Sequence, residues 1–145
     1  MENKNILWDG QSLEHWVRTL YDPDDEARWK AIDALRHIAH PLQTIPLFIE
    51  ALNDRYWRVR ALAAHSFYDI AHEEENIHLL IQAIAPLANA LSDESLQVGL
   101  NAAYTLELLG SRAGAALPQL QEAASLGHDQ LRKAASEAIA KINKQ

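Results

Sequence analysis

One spacing recurs along this chain, and it constrains the fold more than any single residue does. Leu20-Tyr21-Asp22, followed by Ala27-Arg28 and Ala31, returns as Leu52-Asn53-Asp54, followed by Val59-Arg60 and Ala63. It returns again as Leu91-Ser92-Asp93 with Val98, Gly99 and Ala102. Downstream, Leu35, Phe67 and Leu106 share one column, and Ile38, Ile70 and Leu109 share the next. A weaker fourth copy places Leu131-Arg132, Ala135, Ile139 and Ile142 in these columns, but has Ala124 where Leu is expected and Leu126 where Asp is expected. The Arg-column positions Arg28, Arg60, Gly99 and Arg132 lie 32, 39 and 33 residues apart, so the middle interval carries an insertion. Periods of this length mark a solenoid, in which one supersecondary unit buries its apolar face only by stacking on its neighbours.

Each copy reads as two helices joined by a short polar turn. Ala27, Ala31, Ala34, Leu35 and Ile38 follow a 3.6-residue period, with Asp33, Arg36 and His37 on the other side. Ala and Leu supply 45 residues against 17 for Val, Ile and Thr, a balance that favours helix over sheet. Helices are expected near 11–21, 24–39, 44–53, 56–71, 76–91, 94–109, 115–126 and 129–143. Ile45-Pro46 and Leu117-Pro118 are read as helix openings, Ser12 and Asp93 as caps, and Gly110 and Gly127 as stops. The insertion around Glu73-Glu74-Glu75-Asn76-Ile77 lengthens the first helix of copy three, with Pro86 kinking it. The expectation is an all-α superhelix of four helix pairs within 145 residues, one domain with repeats near 11–40, 44–72, 76–110 and 115–143.

The segment Asp22-Pro23-Asp24-Asp25-Glu26-Ala27-Arg28-Trp29-Lys30-Ala31 through Leu35 resembles the turn and second helix of a HEAT repeat. The short period is most similar to the bacterial HEAT-like repeats of the phycobilisome lyase type, and the likeness covers residues 11–143. It implies a right-handed superhelix whose second helices line a concave face. It also implies that Asp22, Arg28, Asp54 and Arg60 are a structural ladder between neighbouring turns rather than a site. Copy three departs by placing Gly99 in the Arg column, which either loosens that repeat or frees backbone for a ligand.

Seven histidines raise a metal site, yet His37 and His40 are three apart and His72 and His78 six apart, with no convergence over several helices. Iron-binding HEAT-type relatives such as deoxyhypusine hydroxylase carry repeated His-Glu pairs, and this chain has one, His72-Glu73. There is no cysteine, no Gly-rich phosphate loop and no G-x-S-x-G elbow, so the expectation is neither enzyme nor metal nor cofactor. HEAT-like DNA glycosylases are the enzymatic precedent for such a fold, and they resemble this chain in repeat pattern only. No apolar run approaches the ~20 residues needed to cross a bilayer, and the start Met1-Glu2-Asn3-Lys4-Asn5 leads into no signal-peptide core. A cytoplasmic location is expected, with no membrane contact.

Projected on the second helices, Trp29, Asp33, Arg36 and His37 share columns with Ala61, His65, Tyr68 and Asp69, and with Leu100, Tyr104, Glu107 and Leu108. Trp29, Tyr68 and Tyr104 thus form an aromatic stripe interleaved with Asp33, Arg36 and His65, the composition of binding hot spots. Gap-filling between repeats is the competing reading of the same residues. Trp57, between Arg55 and Arg58 at a helix start, is read either as an edge anchor or as folded over the neighbouring turn, and Trp8 and Trp16 as covers for the exposed end of the stack. The leading expectation is an adaptor that binds a protein or peptide on the concave face. The alternatives are a tetrapyrrole or small-ligand handler using Tyr68, Tyr104, His65 and Arg36, and a homodimer joined through an exposed end. The formal charge of -7, with basic residues scattered rather than gathered into a stripe, argues against binding nucleic acid. At physiological salt, a gel-shift assay at submicromolar protein should show no retarded DNA or RNA band.

Overall fold

The computed structural model describes residues 6–144. The opening segment read for a signal peptide, Met1 to Asn5, lies outside them. Among the described residues eight α-helices follow one another, α1 Leu13–Thr19, α2 Asp25–Ile38, α3 Pro41–Ala51, α4 Trp57–Ala71, α5 Ile84–Ala90, α6 Leu96–Leu109, α7 Leu117–Leu126 and α8 Asp129–Ile142. Two 3-10 segments, Glu74–Ala83 and Gly110–Ala116, lead directly into α5 and α7. The only sheet-like pairing among the described residues is an isolated antiparallel bridge between Trp8 and Gln11. The architecture is all-α, about four helix pairs stacked as a superhelix.

The caps show why the helices start where they do. Ser12 opens α1 by accepting from the His15 amide at 3.2 Å, and the Asp24 carboxylate does the same for Ala27 at 2.9 Å. His40 opens α3 through Nδ1, which accepts from Leu42 at 3.0 Å. Pro41 therefore takes the first-turn position, and Pro46 falls inside the helix rather than at its start. Asp93 is not a cap either: Ser95 holds the N-cap position of α6, and the Asp93 carboxylate accepts from its amide at 2.8 Å. Gly110 stops α6 with φ of 58°, a left-handed conformation that costs glycine nothing.

The first helix of the third pair is not one kinked α-helix over 76–91. Residues 74–83 wind as 3-10, and α geometry begins at Ile84 with Pro86 in its first turn. A proline at 86 has no amide to donate and crowds the carbonyl four residues back, so a continuous α-helix across it is disfavoured. The break falls just upstream, where the proline is tolerated.

Second helices form one layer, with α2 against α4, α4 against α6 and α6 against α8, while α1, α3, α5 and α7 pack on the other side of them. Between the layers runs a continuous apolar core in which Phe48, Phe67, Ile32, Leu35, Leu80, Leu87, Leu106 and Leu120 are fully buried. The rings of Phe48 and Phe67 meet edge to face, centroids 6.2 Å apart. Small residues of the repeat columns, Ala31, Ala63 and Ala102, are completely buried and let the helices approach closely. Two buried hydroxyls are satisfied within their own helix: Ser66 donates to the Leu62 carbonyl and Thr105 to the Asn101 carbonyl, both at 2.7 Å. Phe67→Ala should lower unfolding free energy by about 3–5 kcal/mol, read from urea denaturation, because it empties the centre of this stack.

Candidate functional site

The turn side of the molecule is organised by two arginines that are nearly inaccessible, Arg28 at 7% and Arg60 at 8% exposure. Arg28 donates from Nε and Nη2 to the Asp54 carboxylate, both at 2.9 Å, and from Nη1 to the carbonyls of Asp22 and Pro23 at 2.9 and 3.2 Å. Asp25 also accepts from it. Arg60 repeats the arrangement one pair later. It reaches Asp93 at 2.8 and 3.2 Å, and the carbonyls of Asp54 and Arg55 at 2.8 and 3.3 Å. Asp22 heads the column, and its carboxylate accepts from the Asp24 amide at 2.8 Å. A planar fork that satisfies a carboxylate and two carbonyls at once is a geometry that lysine cannot reproduce.

Burial works against the Asp54 carboxylate, but the Arg28 guanidinium and the Tyr56 amide outweigh it and hold its pKa below the ordinary carboxylate value. The bond to Asp54, against the opposing cost of burial, raises the Arg28 pKa further above its usual range.

On the opposite surface of the second helices lie the aromatic and charged residues. Tyr104 of α6 is 37% exposed, and its ring centroid is 6.1 Å from that of Tyr68 in α4. Tyr68 in turn meets His65 at 6.2 Å and His72 at 4.6 Å. Arg36 donates to Asp69 at 2.6 Å, joining α2 to α4, and lies 3.9 Å from Asp33. His65 Nε2 approaches the same Asp69 carboxylate at 3.5 Å, so Asp33, Arg36, Asp69 and His65 form one polar chain across two repeats.

Trp29 stands apart from the two tyrosines. It is half-buried and packs on the core, so its column does not face wholly away from it. The Arg58 guanidinium covers its ring 4.9 Å from the centroid, and Arg58 is itself held by Glu26 at 3.0 Å. Ala61, projected on the same face, is buried. Trp57 remains 49% exposed and forms with Trp29, Arg58, Leu62, His65 and Asn101 the walls of a groove of about 350 Å³. His65 is thus shared by the groove and the tyrosine pair.

The sequence columns brought Tyr68, Tyr104, His65, Arg36 and Asp33 to one face. They gave Arg58 only as a flank of Trp57 and did not bring in Glu26 or His72 here, because contacts with Trp29, Glu26 and Tyr68 are not displayed by a column alignment. At the start of the stack the Trp16 indole is buried and donates to the Trp8 carbonyl at 3.1 Å. Trp8 stacks on His37 with centroids 4.2 Å apart. Among the described residues no three His, Cys, Asp or Glu side chains converge as a metal site. No helix there is long and apolar enough to cross a membrane.

A family model described as HEAT repeats matches residues 13–85, half of the chain. The chain belongs to the HEAT-repeat family. No curated protein matches it significantly. Among solved structures, this HEAT protein is similar to a designed armadillo repeat protein in complex with the peptide (KR)4, at 24% identity and a TM-score of 0.73, over 90% of this chain and 64% of that one. It is also similar to computationally designed armadillo repeat proteins for modular peptide recognition, at 23% identity and a TM-score of 0.75, over 92% of this chain and 66% of the other. It spans less than two thirds of the length of both, and the likeness concerns the stacked-helix fold.

The HEAT ladder geometry sets the acid response. A depressed folded pKa at Asp54 contributes stability above the unfolded value near ~4 and loses it as pH falls through the folded pKa. Thermal melts should therefore drop below about pH 4 in the wild type, and Asp54→Asn should flatten that drop. Asp54→Ala should destabilise the fold by about 3 kcal/mol at neutral pH, since it removes the two-pronged partner of the buried Arg28 charge and leaves it Asp25 alone.

Proposed function

We propose that this HEAT protein is a non-catalytic adaptor that binds another protein or an extended peptide on the face formed by its second helices, the concave face of the superhelix. The observation that carries the reading is the line of aromatic side chains from exposed Trp57 and half-buried Trp29 through His65 and Tyr68 to exposed Tyr104, bordered by the Arg36–Asp69 pair. Large rigid aromatics beside partnered charges supply contact area at little entropic cost, the composition of interface centres. Support also comes from the solved structures of like fold, one of which holds the peptide (KR)4. A catalytic role gains no support from the face, where the acids are tied to Arg36 or lie in solvent and no nucleophile sits beside a base.

The expected outcome separates binding from packing. Trp57→Ala and Tyr104→Ala should leave the thermal midpoint within a few degrees of wild type, because both side chains are substantially exposed. Each should weaken the partner recovered by quantitative co-purification and identified by mass spectrometry by ~2 kcal/mol in Kd, with Lys133→Ala on α8 as the unaffected control. Loss of stability without loss of binding would overturn the reading. A coloured ligand in the purified protein would favour tetrapyrrole handling, the property implied by the likeness to lyase-type repeats.

A further inference from the structure

Two of the three seams between repeats are closed by a ladder arginine, and the third is not. At the first seam the Arg28 guanidinium spans from the carbonyls of Asp22 and Pro23 to the Asp54 carboxylate, and at the second Arg60 does the same with Asp54, Arg55 and Asp93. At the third seam the column residues are Gly99 and Leu126. Among the described residues no side-chain donor reaches the carbonyls of Asp93 and Glu94, the counterparts of Asp22 and Pro23. Leu131 lies over Gly99, its Cδ atoms 3.5 and 3.6 Å from where a Cβ would stand, and closes the bottom of the seam with an apolar contact.

Above that contact a cleft remains. At the first seam the space is about 190 Å³, and the Tyr21 hydroxyl donates to Glu50 across its mouth at 3.0 Å. At the third seam it is about 590 Å³. There Ser92 replaces Tyr21 and turns its hydroxyl to the Asn89 carbonyl at 3.0 Å, so Glu122, the counterpart of Glu50, has no such cover. Glu94 and Glu122 supply the carboxylates of this cleft, the Asp93 carboxylate beside them being taken by Arg60, and no Lys or Arg lines it. Its apolar wall is formed by Leu91, Leu96 and Leu131, with Leu126 left 79% exposed at the rim. Gln119 also lines it, and the Gln119 Oε1 is the one buried side-chain polar atom, among the described residues, without a hydrogen-bond partner.

We propose that this cleft receives the arginine side chain of a partner peptide, which completes from outside the rung that repeats one and two complete internally. Paired carbonyls and surrounding carboxylates ask for a planar, multiply donating cation, and the leucine wall takes the aliphatic stem. An ammonium or a metal ion fits this lining less well. An apolar residue beside the arginine covers Leu126. The cleft lies among α5, α7 and the starts of α6 and α8, away from the Tyr68–Tyr104 face, so the site stands or falls separately from the adaptor face.

The test titrates the peptide acetyl-Gly-Leu-Arg-Leu-Gly-amide into the ¹⁵N-labelled full chain and follows amide shifts. Saturable shifts confined to residues 88–96 and 119–131 are expected, with Kd in the range of about 0.1–1 mM for so short a probe. Replacing the arginine by citrulline, equal in shape but uncharged, should weaken binding at least about tenfold, and so should the double variant Glu94→Gln, Glu122→Gln. Both glutamates are exposed, so the variant retains the fold. Tyr104→Ala should bind the peptide as wild type does. Equal binding of the citrulline peptide, shifts only on α2, α4 and α6, no saturable shift up to about 5 mM, or peptide-independent dimerisation through the cleft would each overturn the proposal.

Discussion

The guanidinium–carboxylate rung between neighbouring turns is the contact on which the geometry of the stack depends. Apolar burial drives the helices together, but it is non-directional and tolerates sliding of one pair over the next. A fork held at 2.8–3.2 Å by one carboxylate does not tolerate it. Each buried arginine also takes two carbonyls of its own turn, so the turn, the second helix and the following repeat are fixed together. Burying such a pair gains little net free energy against well-packed apolar residues. Its contribution is register, and register brings side chains from α2, α4 and α6 onto one face.

Most of the fold was readable because the apolar columns and the solenoid obey the same period. The columns of Leu35, Phe67 and Leu106, and of Ala31, Ala63 and Ala102, are completely buried in the structure. What escaped the reading was decided by prolines and by spacing. Pro46 suggested a start, yet His40 provides a cap and Pro41 a better first-turn residue five positions earlier in that helix. Pro86 suggested a kink, and the chain changes helix type just before it instead. In neither case does periodicity report which of several proline-compatible arrangements the neighbouring capping groups select.

The candidate face was partly legible for the same reason. A helical projection places Tyr68 and Tyr104 correctly because their neighbours recur at equal spacing. It fails at Trp29, since an indole reaches farther than the column average and is drawn against the core and under Arg58. The column register hides another relation: Glu26, Tyr56 and Arg58 meet only because consecutive turns are brought into contact. Pairings between repeats are the information that a single sequence read column by column does not hold.

The two 3-10 segments give the molecule an uneven internal compliance. Both belong to the layer of first helices, and both fall in the second half of the chain, at 74–83 and 110–116. Tighter winding with poorer hydrogen-bond geometry protects backbone amides less than an α-helix does. Repeats one and two therefore behave as a stiff block, α-helical in both layers and stapled by arginines. Repeats three and four carry a softer outer skin over an α-helical inner layer. Bending of the solenoid concentrates in that skin, so a load applied to either end changes curvature in the second half before it disturbs the first.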